Sequence, residues 1–109
     1  MKDLIIDVLV IEEDRPAHIA RHDITIDEVI EVLMGDYLFI RGRENRWLLI
    51  GPTEKERFLT IVLGERPQPN TYGLITARPA RREERSFYIK RIFWSKYVPE
   101  EGGDEDENR

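Results

Sequence analysis

The fold is decided by residues 37–77, which read YLFIRGRENRWLLIGPTEKERFLTIVLGERPQPNTYGLITA. This stretch contains four short runs of apolar or alternating residues, each about as long as a β-strand: Tyr37–Ile40, Arg46–Ile50, Phe58–Leu63 and Thr71–Ala77. Every segment between two runs contains Gly, Pro or Asn, which favour turns. Because short links join neighbouring strands as hairpins, the pattern predicts an antiparallel meander.

Helical patterns lie on both sides of this stretch. Leu4–Ile11 is rich in β-branched residues and predicts a first strand, and Pro16 opens a short helix that runs to His22. Thr25 and Glu28 have the spacing of a capping box, and the apolar residues that follow predict a helix that ends at Gly35.

The segment after the last strand is the least regular. Pro79 precedes strong helix formers, which predict a helix over Ala80–Arg91, whereas Ile92–Val98 fits either a longer helix or an extended chain. The elements together predict an α+β domain over residues 1–98, with an antiparallel sheet of about four strands and helices packed on one side.

Composition excludes several classes of protein. At 109 residues the chain is about one small domain, and it has no cysteine for a disulfide, a thiolate metal site or a thiol nucleophile. No apolar run approaches the ~18 residues of a membrane span, and no signal-peptide pattern opens the chain. We therefore expect a cytoplasmic protein.

Charge is distributed unevenly. The net charge of −5 is that of residues 99–109 alone, which we expect to form an acidic, disordered tail. Residues 1–36 contain three basic and ten acidic side chains, a charge of −7, whereas residues 37–98 contain thirteen basic and six acidic ones, a charge of +7. Such a dipolar chain is typical of proteins that bind nucleic acid or a charged partner through one face.

The basic side chains cluster at the last strand and the helix after it. They are Arg78, Arg81, Arg82, Arg85, Lys90 and Arg91. Guanidinium groups bind phosphate through paired hydrogen bonds, and the Tyr88 ring offers a surface on which a base can stack. The alternative is an ordinary solvated helix face, on which Glu83 and Glu84 pair with neighbouring arginines.

Two histidines lie four residues apart. His18 and His22 share one face of the predicted short helix and supply half of a metal site, although no third histidine exists. A packed or capping histidine is the more common reason for such a pattern. His22 also remains a candidate acid or base, because an imidazole titrates near ~6.5.

Two segments resemble the BrnT family of bacterial ribonuclease toxins. The first is Ala17-His-Ile-Ala-Arg-His22 with the helix after it, and the second is Ile75-Thr-Ala-Arg78-Pro-Ala80 followed by Arg82, Glu84 and Tyr88. Trp47–Gly51 and Phe58–Arg66 fall at the spacing of the family's two central strands.

The resemblance implies a RelE-like fold, RNA cleavage without a metal or other cofactor, and neutralisation by a ribbon-helix-helix antitoxin. Our hypothesis for such a reaction is that Arg78 and Arg82 bind the phosphate and that His22 or Glu84 transfers protons. Tyr88 would position a base, and further contacts to RNA would come from Arg81, Arg85, Arg46 and Arg57.

Two other functions stay open at this point. One is a non-catalytic module of the same fold that binds a protein partner or nucleic acid. The other is a metal-dependent hydrolase that uses His18 and His22. A homodimer also remains possible, with Leu4–Ile11 either in the main sheet or between two copies.

Overall fold

The computed structural model describes residues 4–93, which form a five-stranded mixed sheet with three α-helices. The elements in chain order are β1 (Val8–Val10), α1 (Arg15–Ala20), α2 (Ile26–Met34), β2 (Leu38–Arg41), β3 (Arg46–Pro52), β4 (Phe58–Glu65), β5 (Thr71–Pro79) and α3 (Arg82–Tyr88), followed by a π-helical turn (Ile89–Phe93). The predicted α+β class is confirmed.

The four predicted strands form the predicted antiparallel meander, and the sheet order is β1-β5-β4-β3-β2. The ladder between β3 and β4 runs from Arg46 opposite Gly64 to Pro52 opposite Phe58. Thr60 lies opposite Arg78 in the ladder between β4 and β5, and the register shifts by one residue further along β4, between Val62 and Leu63. The pairing of Thr60 with Arg78 places two polar side chains together on one face of the sheet.

The N-terminal segment differs from the expected long strand. Only Val8–Val10 pair with the sheet, and they run parallel to Thr71–Gly73 as a fifth strand. The other apolar residues of the segment, among them Leu4, Ile6 and Ile11, pack against the core instead of forming a ladder. Burial of these side chains, and not strand pairing, therefore holds most of the segment in place.

Strand alternation gives the sheet two different faces. Leu49, Leu59, Ile61 and Leu63 are fully buried on one face, where they meet Val29 and Val32 of α2 in a single core. Ile50 and Thr60 point to the opposite face, and both are also fully buried. That second face is covered near Thr60 by α3, so the helices lie on both sides of the sheet and not on one.

The C-terminal helix is shorter than predicted. Helical α3 ends at Tyr88, and the backbone continues as a π-helical turn to Phe93. The rest of Ile92–Val98 and the predicted acidic tail lie outside the described residues. Within residues 4–93, no helix has the length and apolar character needed to cross a bilayer.

Helix α2 begins as the sequence predicts. The Thr25 hydroxyl accepts from the Glu28 N–H at 3.2 Å, and the Glu28 carboxylate accepts from the Thr25 N–H at 3.0 Å, which completes the capping box. Gly35 caps the other end in an extended conformation, with φ of −103°. The helix that contributes Val29 and Val32 to the core thus begins with local hydrogen bonds.

Loss of this cap is expected to destabilise the whole domain. Thr25→Ala removes the acceptor for the Glu28 N–H and should lower the free energy of unfolding by about 1 kcal/mol in urea titrations. Thr25→Ser keeps a hydroxyl and should lie within a few tenths of a kcal/mol of the wild type. Equal losses in both variants would show that the methyl group, and not the cap, is responsible.

Candidate functional site

The centre of the candidate site is an ion pair between the end of β5 and the first turn of α3. The Arg78 guanidinium donates two parallel hydrogen bonds to the Glu84 carboxylate, at 2.8 and 2.7 Å. Only 22% of the Arg78 side chain and 16% of the Glu84 side chain are exposed. Paired bonds of this kind, partly shielded from water, fix the plane of the guanidinium.

Glu84 accepts two further hydrogen bonds. The Thr60 hydroxyl of β4 and the Arg81 backbone N–H each donate to it at 2.8 Å. Hydrogen bonding from Arg78, with the contributions of Arg81 and Thr60, lowers the pKa of Glu84 to about 2 despite its burial. At neutral pH this carboxylate holds no proton to donate, and its oxygens are already occupied, so its geometry fits the positioning of Arg78 better than proton transfer.

Arg78 keeps capacity for another ligand. A guanidinium has five N–H groups, of which two bind Glu84 and one makes a long 3.4 Å contact with the Pro79 carbonyl. The hydrogen bonds to Glu84 also raise the pKa of Arg78, so its positive charge is permanent. The remaining N–H groups can bind a phosphate oxygen while Glu84 holds the side chain.

Three more arginines lie beside this pair. Arg81 precedes α3 directly, and Arg82 and Arg85 lie on the helix; all three are exposed. Their spacing places Arg81 and Arg85 on one side of the helix. Residues 78–85 contain four arginines and two glutamates, a charge of +2, so the surroundings of Arg78 stay positive although Glu84 neutralises Arg78 itself.

The structure brings His18, which the sequence suggested only as a metal ligand together with His22, close to β5. Its Nε2 lies 3.0 Å from the hydroxyl of Thr76, two residues before Arg78 on the same face of β5. Partial burial and then the Arg15 charge lower the pKa of His18 below its ordinary value of 6.5. Arg21 and His22 lower the pKa of His18 further by smaller amounts, and the Asp14 carboxylate raises it. The spacing of the two histidines drew attention to His18, but its contact with Thr76 depends on the position of α1 against β5, which sequence spacing does not show.

His22, the predicted acid or base, lies beyond the end of α1 and is exposed. Its ring centroid is 6.3 Å from that of His18, and its backbone carbonyl accepts from Arg57 at 3.3 Å. No three His, Asp or Glu side chains among residues 4–93 are arranged to hold a metal ion. In this part of the chain the two histidines have no third ligand with which to form a metal site.

Two of the predicted RNA-binding residues have structural contacts instead. The Tyr88 hydroxyl donates to the Asp36 carbonyl at 3.2 Å, and its ring packs edge-on against Phe58 at 5.2 Å, which fastens α3 to the sheet. Arg57 donates to the Asp23 carbonyl at 2.6 Å and to Glu28 at 3.2 Å. These bonds join the β3–β4 turn to the start of α2 and give Arg57 a structural role.

Arg46 has a different setting. It is exposed at the start of β3 and shares a face with Ile50, the residue opposite Thr60. Four residues of strand separate Arg46 from Ile50, about 13 Å. Arg46 therefore lies on the same sheet face as the Arg78–Glu84 pair, but at the far end of it.

The overall fold is similar to one known from a crystal structure. The ribonuclease toxin BrnT of Brucella abortus superimposes with a TM-score of 0.56 over 69% of this chain and 99% of that chain, at 11% sequence identity. No protein-family model and no curated protein matches the sequence. The similarity confirms the predicted BrnT-like fold.

The depressed pKa of Glu84 makes stability depend on pH. Folding holds this carboxyl ionised down to about pH 2, whereas its ordinary pKa is 4.5. The ionised carboxylate therefore contributes on the order of 2–3 kcal/mol to the free energy of unfolding. This contribution is complete above pH 4.5 and is lost as the pH falls toward 2. In urea titrations, Glu84→Gln should have a much lower free energy of unfolding than the wild type at neutral pH, and this difference should shrink in acid.

Glu83→Gln is the matched control, because Glu83 is the exposed neighbour on the same helix. Its unfolding curves should follow those of the wild type at every pH. If Glu84→Gln instead loses the same stability at neutral and acid pH, the bonds to Arg78, Thr60 and Arg81 do not depend on the charge of Glu84.

Proposed function

We propose that this chain is a metal-independent endoribonuclease and that Arg78 stabilises the charge on the phosphate that is cleaved. The observation that carries the proposal is the paired bond to Glu84 at 2.7 and 2.8 Å, because it holds a permanently cationic, half-buried donor in one orientation beside three exposed arginines. Preorganised donors of this kind are usually the largest single contribution to catalysis.

The reaction is an attack of a ribose 2′-OH on the adjacent phosphorus. The bond from O2′ to phosphorus forms, the bond from phosphorus to O5′ breaks, and the products end in a 2′,3′-cyclic phosphate and a 5′-OH. Negative charge builds on the non-bridging oxygens, where Arg78 acts. Arg82 lies in the first turn of α3 and supplies a second cation.

His18 is the proton acceptor in this proposal. When its Nε2–H donates to Thr76, the lone pair on Nδ1 is available for the 2′-OH proton. The lowered pKa keeps the imidazole neutral at physiological pH, as a base requires. Water protonates the leaving O5′. This assigns to His18 the role that the sequence suggested for His22 or Glu84, and leaves Glu84 to position Arg78.

Exposed Arg46, Arg81 and Arg85 would bind the RNA backbone on either side of the cleaved linkage. The biological role that fits the BrnT-like fold and the sequence resemblance is that of a toxin held inactive by a ribbon-helix-helix antitoxin. The support is the shared fold and the motif around Arg78.

One observation favours a second function, a non-catalytic module that binds RNA or a protein partner. Glu84 already neutralises Arg78, and a phosphate must share the guanidinium with that carboxylate. A chain that had lost cleavage would keep the exposed arginines of α3 and with them a salt-sensitive affinity for nucleic acid.

Cleavage of total RNA, followed on gels and by end-group analysis, tests the proposal. We expect activity that persists in EDTA, ends in 2′,3′-cyclic phosphates, and falls roughly a hundredfold or more in Arg78→Ala, since one oxyanion donor is worth that much. His18→Ala should fall by a similar factor, and the wild-type rate should rise with pH through a value below 6.5.

Lys55→Ala is the control, because Lys55 is exposed in the turn before β4, and it should keep full activity. Loss of activity in His22→Ala but not in His18→Ala would make His22 the base. No cleavage by the wild type, together with RNA binding that weakens in salt and in Arg85→Ala, would establish the non-catalytic function.

A further inference from the structure

A second surface of the molecule has the shape of a docking groove. It lies between the N-terminal segment and α2 and encloses about 330 Å³. Ile6, Leu9 and Ile11 line one wall, and Ile30, Leu33 and Met34 line the other. Because these residues cover the core face of the sheet, the groove is on the opposite side of the sheet from Arg78 and Glu84.

Large apolar side chains stand exposed along this groove. Met34 is 82% exposed and Ile30 is 44% exposed, and the two are one helical turn apart on α2. Contiguous exposed apolar groups of this kind, unlike single ones, mark interaction surfaces.

The border of the groove is acidic. Asp7 lines it directly, and Asp27 lies one helical turn before Ile30 on α2. Residues 4–36 together carry nine acidic and two basic side chains, a charge of −7. Among the described residues, none that lines the groove is basic.

We propose that this groove binds an amphipathic helix of a separate protein, whose apolar ridge is flanked by Lys and Arg. A helix in a groove buries its ridge against side chains such as Ile30 and Met34, and its basic flanks meet the acidic border. A second copy of this chain fits poorly, because a symmetric contact through the groove would bring the acidic border of one copy, with Asp7 and Asp27, against the same border of the other. The acidic side chains among residues 100–107 are negatively charged like the border of the groove, which would therefore repel them as well.

The probe is a pair of synthetic helical peptides, each with a single ridge of leucines. In the first peptide lysines flank the ridge, and in the second peptide glutamates flank it. Ile30→Lys adds a repelling charge at the groove, and Ile89→Lys is the matched control, since Ile89 is 43% exposed on the other side of the molecule. Affinity is measured by calorimetry, and the site is mapped by amide chemical shifts in the full chain.

We expect the lysine peptide to bind at Leu9, Ile30 and Met34, and to bind at least about tenfold more weakly to Ile30→Lys, as the loss of one buried Ile contact implies. Ile89→Lys should bind it as the wild type does, and the glutamate twin should bind at least about tenfold more weakly. The proposal would be overturned if both peptides bound with equal affinity, or if Ile30→Lys and Ile89→Lys weakened binding of the lysine peptide equally. A concentration-dependent dimer that Ile30→Lys abolishes would make a second copy the occupant.

Discussion

The arrangement of the second sheet face depends on the carboxylate of Glu84. It joins three elements, because Arg78 of β5, the Thr60 hydroxyl of β4 and the Arg81 N–H before α3 all donate to it. A buried ion pair gives net stability only when its remaining hydrogen-bonding capacity is satisfied, and here all three donors meet at one carboxylate. The same contacts that attach α3 to the sheet also orient the guanidinium that we assign to phosphate binding.

Structure and candidate chemistry are therefore difficult to separate at this site. A variant that releases Arg78 also loosens α3, so loss of activity in Glu84→Gln alone would not identify a catalytic role. His18 is a better probe, because its side-chain hydrogen bond goes to Thr76 and not to the Arg78–Glu84 pair. Thr76 on β5 connects the two, since it binds His18 and lies two residues before Arg78.

The sheet separates two surfaces of opposite charge. The face that carries Thr60, Arg78 and α3 is basic, whereas the segment over the other face and α2 are acidic and partly apolar. Such a division lets one small domain bind a polyanion on one side and a basic protein on the other without competition between them. A partner helix in the groove would contact α2 and the N-terminal segment and would leave the Arg78–Glu84 pair exposed.

Local signals in the sequence determined the elements of this protein. The alternation of residues 37–77 defined the meander, Thr25 and Glu28 fixed the start of α2, and the arginine cluster at the end of β5 indicated where an anion would bind. Each of these depends on contacts within a few residues or on strand periodicity, which the order of residues contains directly.

Only the tertiary structure decided which distant groups meet. The placement of α1 beside β5 brings His18 to Thr76, and the attachment of α3 to the second face gives Glu84 and Tyr88 hydrogen bonds to Thr60 and to the Asp36 carbonyl. The start of α2 in turn binds Arg57. These outcomes follow from how the faces of separate elements pack. The contacts of Glu84, Arg57, Tyr88 and His18 join residues that are 24 to 58 positions apart in the sequence. Periodicity identifies the apolar face of an element, but does not identify the neighbour against which that face is buried.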